Sequence, residues 1–259
     1  MLESVSKITH EIDRILDGRT AGIWLYGSVV MDDYRPGWSD IDFAALTRGG
    51  ITESQGERLL TLRQDMLGKE PGNPYYRRFE GIIADLDEYR SQTFTRLVYW
   101  GTSGQRITDR FQHDAFSLYE LAEYGRPVWG ETPWPFPAPG REELVRAVRN
   151  HYEAIRKYAR ETDESLYSCG WLLDIARCIH TLRYNGVTAK TKAGIWALES
   201  HVFPDEVPLK KTLEIRRDPL AYKDREDVRS WLKGLGPTVQ RYADVLEKEL
   251  EEPGTDPKP

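Results

Sequence analysis

Residues 22–46 read Gly-Ile-Trp-Leu-Tyr-Gly-Ser-Val-Val-Met-Asp-Asp-Tyr-Arg-Pro-Gly-Trp-Ser-Asp-Ile-Asp-Phe-Ala-Ala-Leu. Two short apolar, β-prone runs, 22–26 and 40–46, flank a polar loop. The first ends on Gly27-Ser28. Glycine lets the backbone turn sharply there and approach a ligand closely, and Ser28 adds a hydroxyl and a backbone N–H. With a helix start following, such a corner presents donors and a positive dipole end to phosphate oxygens. The second run opens on Asp40 and Asp42. Alternate residues of a strand share a face, so these two carboxylates project together. Paired anions repel unless a cation lies between them or one is protonated. Mg²⁺ suits such a pair, because it takes oxygen ligands, keeps several waters and typically uses one or two carboxylates together with substrate phosphates. A Gly-Ser alone is an ordinary turn, and an Asp-x-Asp alone is an ordinary strand edge. Their order, each joined to an apolar strand, reads as equipment for moving a nucleotidyl group. Asp32-Asp33 within the loop reads as solvated surface or loop capping.

Working outward, Val5, Ile8, Ile12, Ile15 and Leu16 recur at helical spacing. Downstream, 52–67 reads as a helix, 78–86 as a third strand, and 109–124 as a helix stopping near Gly125. Glu80 is an ionisable residue inside that apolar third strand, with Ile82 and Ala84 on its own face. A carboxylate so placed is costly unless it pairs with a cation, for instance Arg77 or Arg78, or is put to use. Asp85 and Asp87 lie at the strand's end and are weaker candidates. Thr132-Pro133-Trp134-Pro135-Phe136-Pro137-Ala138-Pro139-Gly140 sets prolines at alternate positions, which favours an extended, semi-rigid connector. Beyond it the pattern is helical over 141–161, 167–184, 192–201 and 224–251. The expected fold is α+β. Residues 1–132 form a domain with a small mixed sheet and helices, 133–140 the connector, 141–252 an α-helical bundle, and 253–259 a flexible tail.

A chain of 259 residues with 8 Trp, 14 Tyr and 7 Phe can build a sizeable core, which excludes a disordered or fibrous protein. No apolar run approaches the roughly 20 residues of a membrane span. Met1 to Lys7 lacks a charged-then-apolar leader pattern, so a cytoplasmic location is expected. Cys169 and Cys178 fall in one helical stretch, which argues against a disulfide framework or a zinc site. A net charge of −6 disfavours gripping a phosphate backbone and is compatible with a cationic small-molecule partner.

Gly27-Ser28 followed by Ser39-Asp40-Ile41-Asp42-Phe43 resembles the signature of the DNA polymerase β-like nucleotidyltransferase superfamily, with Glu80 matching its third carboxylate. Length, two-domain layout and local matches are similar to the aminoglycoside adenylyltransferases of the streptomycin/spectinomycin type across most of the chain. The resemblance implies an N-terminal nucleotidyltransferase domain and a helical domain sharing ATP, Mg²⁺ and the drug. It implies transfer of AMP from ATP to an aminoglycoside hydroxyl with release of pyrophosphate, an antibiotic-resistance activity. By that resemblance Asp40 and Asp42 hold metal, Glu80 is the catalytic base, and Gly27, Ser28 and Ser39 meet the phosphates. Ile175-Ala176-Arg177 with Gly186, the run Ala189-Lys190-Thr191-Lys192-Ala193-Gly194-Ile195-Trp196, and Ala221-Tyr222 resemble family stretches that add Arg177, Lys190 and Tyr222 to the ATP site. A helix-terminal cap or solvated charge is the alternative for Arg177 and Lys190.

The acceptor residues implied are Trp100, Asp163 and Asp174, whereas Tyr167, Ser168, Cys169 and Gly170 depart from the family's acidic pattern. Trp100 could equally be core, and Asp174 could pair with Arg177 one turn on. The expected partner is a cationic, aminoglycoside-like small molecule, with no nucleic acid and no membrane, for a monomer or weak dimer. Another acceptor, small molecule or protein, stays open. So does a non-catalytic, antitoxin-like nucleotide-binding module, against which the three carboxylates count. Tyr75-Tyr76-Arg77-Arg78 is the nearest approach to an aromatic-basic groove for nucleic acid and reads as surface.

Overall fold

The computed structural model describes residues 1–101, 104–130 and 132–251. The expected tail 253–259 lies outside the described residues. The chain folds as two compact units, Met1–Val30 with Asp40–Ala138, and Met31–Ser39 with Pro139–Pro259.

In the first unit, Val5, Ile8, Ile12 and Ile15 line the buried side of α1 (Leu2–Ile15). Strands β1 (Thr20–Tyr26) and β2 (Ile41–Thr47) follow, then α2 (Glu53–Lys69). Helix α2 starts where Thr52 and Gln55 close a capping box, each bonding the other's backbone N–H. Strand β3 (Phe79–Asp85) runs into α3 (Leu86–Ser91), whose first amides are capped by Asp85; that carboxylate also accepts from Gly50 N. Strands β4 (Leu97–Gly101) and β5 (Gly104–Thr108), helix α4 (Ala115–Tyr124) and strand β6 (Arg126–Trp129) complete the unit.

The six strands are ordered β5-β4-β3-β2-β1-β6, with β2 and β3 parallel and the other neighbours antiparallel. The mixed sheet is therefore as expected, but twice the size that the three expected strands provide. Its even-numbered face carries Trp24, Tyr26, Ala44, Leu46, Ile82 and Ala84, covered by Tyr89, Leu121 and Trp134. Trp134 stands edge-on to Trp24 at 5.2 Å between ring centres, and Trp24 Nε1 donates to Thr132 O at 2.8 Å. The first half of the proline-rich stretch is thus part of this core and does not act as a free spacer.

The second unit is built on α5 (Arg141–Tyr158), α6 (Tyr167–Tyr184), α7 (Lys190–Glu199), α8 (Val207–Arg217), α9 (Pro219–Tyr222), α10 (Glu226–Lys233) and α11 (Gly236–Glu251). Helix α6 is the central one, burying Leu172, Leu173, Ile175, Ala176 and Ile179. Both cysteines lie on it as free, buried thiols, and burial pushes Cys169 up to about 12. The single long helix expected over 224–251 is two helices, broken at Gly234-Leu235. Residues 31–39, expected with the N-terminal half, belong to this unit. Among the described residues no helix is long and apolar enough to cross a membrane.

Candidate active site

The site in the first unit is set by sheet register. Tyr26 pairs with Asp42 across the antiparallel β1–β2 ladder, and Asp42 pairs with Glu80 across the parallel β2–β3 ladder. Cross-strand partners share a face, and their strands stand roughly 4.8 Å apart in the hydrogen-bonding direction. In β2 and in β3 the second residue, Asp42 or Glu80, is the only one that is not buried. Two partly exposed carboxylates therefore sit side by side at the starting ends of two otherwise buried strands. Asp40, one residue before β2, has the same parity and is also partly exposed.

The turn after β1 closes on this pair. Gly27 has φ +68°, and a Cβ added there would lie 2.4 Å from Asp42 Oδ2. Only glycine allows both the left-handed conformation and the approach of the Asp42 carboxylate to the backbone. Ser28 follows in a short 3₁₀ turn, Gly27–Val29, its hydroxyl 3.5 Å from Asp40 O. Arg78 Nη1 lies 3.6 Å from Asp40 Oδ1, so that arginine faces Asp40.

Glu80 has a different partner, one that sequence reading missed. Tyr99 on β4 donates its hydroxyl to Glu80 Oε1 at 3.0 Å. Burial, with the Glu80 charge beside it, pushes the Tyr99 phenol up to about 12, so the hydroxyl stays protonated as a donor. Arg63 on α2 adds positive charge from below, donating to Phe79 O at 2.8 Å within the field of Glu80 and Asp40. Tyr26 is buried and its phenol is held well above the usual range, first by burial and then by Asp42.

Mg²⁺ fits this donor set. Asp42 offers hard oxygens next to a backbone corner that no Cβ obstructs, and Asp40, two residues earlier, adds a second carboxylate. Among the described residues no group of three or more His, Cys, Asp or Glu is arranged to hold a metal ion. An ion on the aspartate pair would therefore need water and phosphate oxygens to complete its shell, as Mg²⁺ commonly does.

Trp100 is a correction. It pairs with Gly81, which puts it on the odd-numbered face, opposite Glu80. Its side chain is fully buried against Phe43, and Nε1 donates to Leu59 O at 3.0 Å. It is core and offers nothing to an acceptor. Tyr76, read as surface, is also fully buried.

In the second unit Asp174 draws two expected nucleotide residues together. Its carboxylate lies 2.9 Å from Lys190 Nζ and 3.4 Å from Arg177 Nη2. Burial alone would raise this carboxyl, but the two cations outweigh it and hold the group below the usual range. Asp174 is thus a counter-ion for Lys190 and Arg177, the pairing with Arg177 being the alternative that its spacing offered. Tyr222 on α9 donates to Glu214 at 2.6 Å with Arg225 over its ring. Asp163 is exposed and ties the start of α6, accepting from Ser165 N and the Ser168 hydroxyl, both at 2.9 Å. Ser39 is buried, its hydroxyl accepting from Arg35 N at 2.9 Å, so it closes a turn.

The largest correction concerns Asp33, read as solvated surface or loop capping. It is 3% exposed and ion-paired to an equally buried Arg216 at 2.7 Å. No pattern in the local sequence marks this partner, which lies in α8.

No protein-family model matches the chain, and no curated protein matches it. Among solved structures the chain is similar to the crystal structure of spectinomycin adenyltransferase AAD(9) from Enterococcus faecialis with ATP and spectinomycin. The TM-score is 0.66 at 15% identity, covering 95% of this chain and 99% of that one. At that identity the likeness is one of fold, an α+β N-terminal region followed by helices.

Proposed function

We propose that the protein is a Mg²⁺-dependent adenylyltransferase that moves AMP from ATP to a hydroxyl of a cationic, aminoglycoside-like small molecule. The observation that carries this reading is the in-register pair Asp42–Glu80 beside the Gly27 corner, with Asp40 two residues before Asp42 in the chain. The fold shared with an adenyltransferase solved with ATP and spectinomycin supports it. Asp40 and Asp42 would hold Mg²⁺, which when bound neutralises charge on the phosphate oxygens. The Gly27–Ser28 backbone would orient those phosphates. Glu80 would take the proton of the acceptor hydroxyl, with Tyr99 fixing the carboxylate's direction. The acceptor oxygen then bonds to the α-phosphorus, the bond from that phosphorus to its bridging oxygen breaks, and pyrophosphate leaves. Lys190 and Arg177, held by Asp174, would meet the negative charge of the triphosphate, and Tyr222 would complete the nucleotide site.

The test is incubation with ATP, Mg²⁺ and a panel of aminoglycosides, spectinomycin and lincosamides, read by mass spectrometry for an added AMP. Glu80→Gln and Asp40→Asn should abolish the product while the circular dichroism spectrum is kept. Full activity in either variant overturns the assignment.

A further inference from the structure

The ion pair between Asp33 and Arg216 is the best-enclosed charge cluster that the proposed chemistry does not use. Arg216 Nη2 bonds Asp33 Oδ2 at 2.7 Å, and both side chains are shut off from water. Thr191 N donates to the same Oδ2 at 3.2 Å, and the Thr191 hydroxyl donates to Oδ1. Arg216 Nε reaches the Thr191 hydroxyl at 3.0 Å, and its guanidinium lies over the Trp38 ring at 5.1 Å. Tyr167 OH adds a contact to Trp38 O at 3.4 Å. One carboxylate thus binds the 31–39 segment to the first turn of α7 and to α8, with its oxygens fully engaged.

Such a cluster is a weak device for stability, because apolar side chains of similar volume commonly do as well. What it supplies is a fixed geometry. The segment it fixes starts just after Gly27–Val29 and ends on Ser39, next to Asp40. The helix start it fixes carries Lys190 beside Thr191. We propose that Asp33 is a positioning residue: through the Arg216–Thr191 clamp it sets the start of α7, and with it Lys190, without touching nucleotide or metal. The proposal rests on the nucleotidyltransferase reading above.

Three variants test it: Asp33→Asn, which keeps the shape and removes the charge; Arg216→Lys, the conservative change; and Thr191→Ala, which removes one hydroxyl. Each is followed by hydrogen–deuterium exchange over residues 28–42, by calorimetric titration of ATP in the presence of Mg²⁺, and by kcat and KM. In folded Asp33→Asn the amides of 31–40 should exchange at least about tenfold faster. The ATP needed for half-maximal binding in the presence of Mg²⁺ should rise several-fold, and kcat should fall about tenfold or more. Arg216→Lys keeps the charge but not the fork, so its shifts should fall between those of the wild type and of Asp33→Asn. A merely structural pair would lower only the melting temperature. Unchanged exchange, or unchanged ATP binding with faster exchange, overturns the proposal. If Asp33→Asn does not fold, Thr191→Ala decides by the same readouts, with smaller shifts. A wild-type chain that labels no acceptor removes the proposed activity, and the exchange and ATP titration then still decide the clamp.

Discussion

Gly27→Ala is the substitution that separates backbone strain from damage to the site. Gly27 holds φ +68°, which costs an L-residue on the order of 1–2 kcal/mol. The added Cβ would also meet Asp42 Oδ2 at 2.4 Å and Asp42 Cγ at 3.1 Å. To reach an ordinary contact the carboxylate must retreat by roughly 1 Å. A displacement of that size at a reacting centre costs about 10²-fold in rate, equivalent to about 2.7 kcal/mol of barrier. Gly18→Ala is the control: Gly18 has φ +71° with nothing within 4 Å of an added Cβ, so it carries the strain alone. Both variants should lose about 1–2 kcal/mol in denaturant unfolding. Only Gly27→Ala should lose adenylyl transfer and need more Mg²⁺. Equal activity in the two variants would refute the reasoning that Asp42 depends on the bare backbone at Gly27.

Three further outcomes follow from the geometry. His113 is buried between the hydroxyls of Tyr26 and Tyr89, and burial pushes its imidazole down from 6.5 to about 4. The folded state then binds fewer protons than the unfolded one, so the stability lent by neutral His113 is complete above pH 6.5 and lost as pH falls toward 4. Between pH 7.5 and 4.5 the wild type should lose about 2–3 kcal/mol more than His113→Gln in urea unfolding, and equal losses would count against it. Trp100→Ala should destabilise by about 3–5 kcal/mol through the cavity it leaves, with the acceptor KM unchanged in steady-state kinetics. Tyr99→Phe removes the bond to Glu80 and should lower kcat about tenfold with little change in the melting temperature.

The two strands of the opening stretch were legible because each is an apolar run bounded by turn residues, and the i, i+2 spacing of Asp40 and Asp42 follows the period of two, whereas Glu80 stands beside Asp42 through the β2–β3 register. Helix ends at Tyr124 and Tyr184, and the start beside Thr52, fell where the helical pattern begins or stops. The short strands β4, β5 and β6 were not legible. Leu97–Gly101 is only five residues long, and Arg126–Trp129 contains Pro127, which local signals mark against a strand although a sheet edge tolerates it. Tyr99 and Trp100 show what was lost with them, since register decides which of two adjacent aromatics faces Glu80. Asp33 escaped for another reason: a charge in a polar loop looks solvated, and its partner Arg216 is distant in sequence. Pairing across such separations leaves no periodic trace.

The excursion of residues 31–39 also bears on how the chain is made. Asp33 and Arg216 are 183 positions apart. A ribosome adding about 5–20 residues per second needs roughly ten to forty seconds to deliver the second after the first. Through that interval a carboxylate and an indole destined for the interior are held in water with nothing to receive them. Nor can one cut yield two self-sufficient fragments: a piece ending at Ala138 keeps Asp33 and Trp38 without their helices, and the remainder keeps Arg216 without its anion. Co-expression of the two pieces, more than either alone, is the way to recover soluble material.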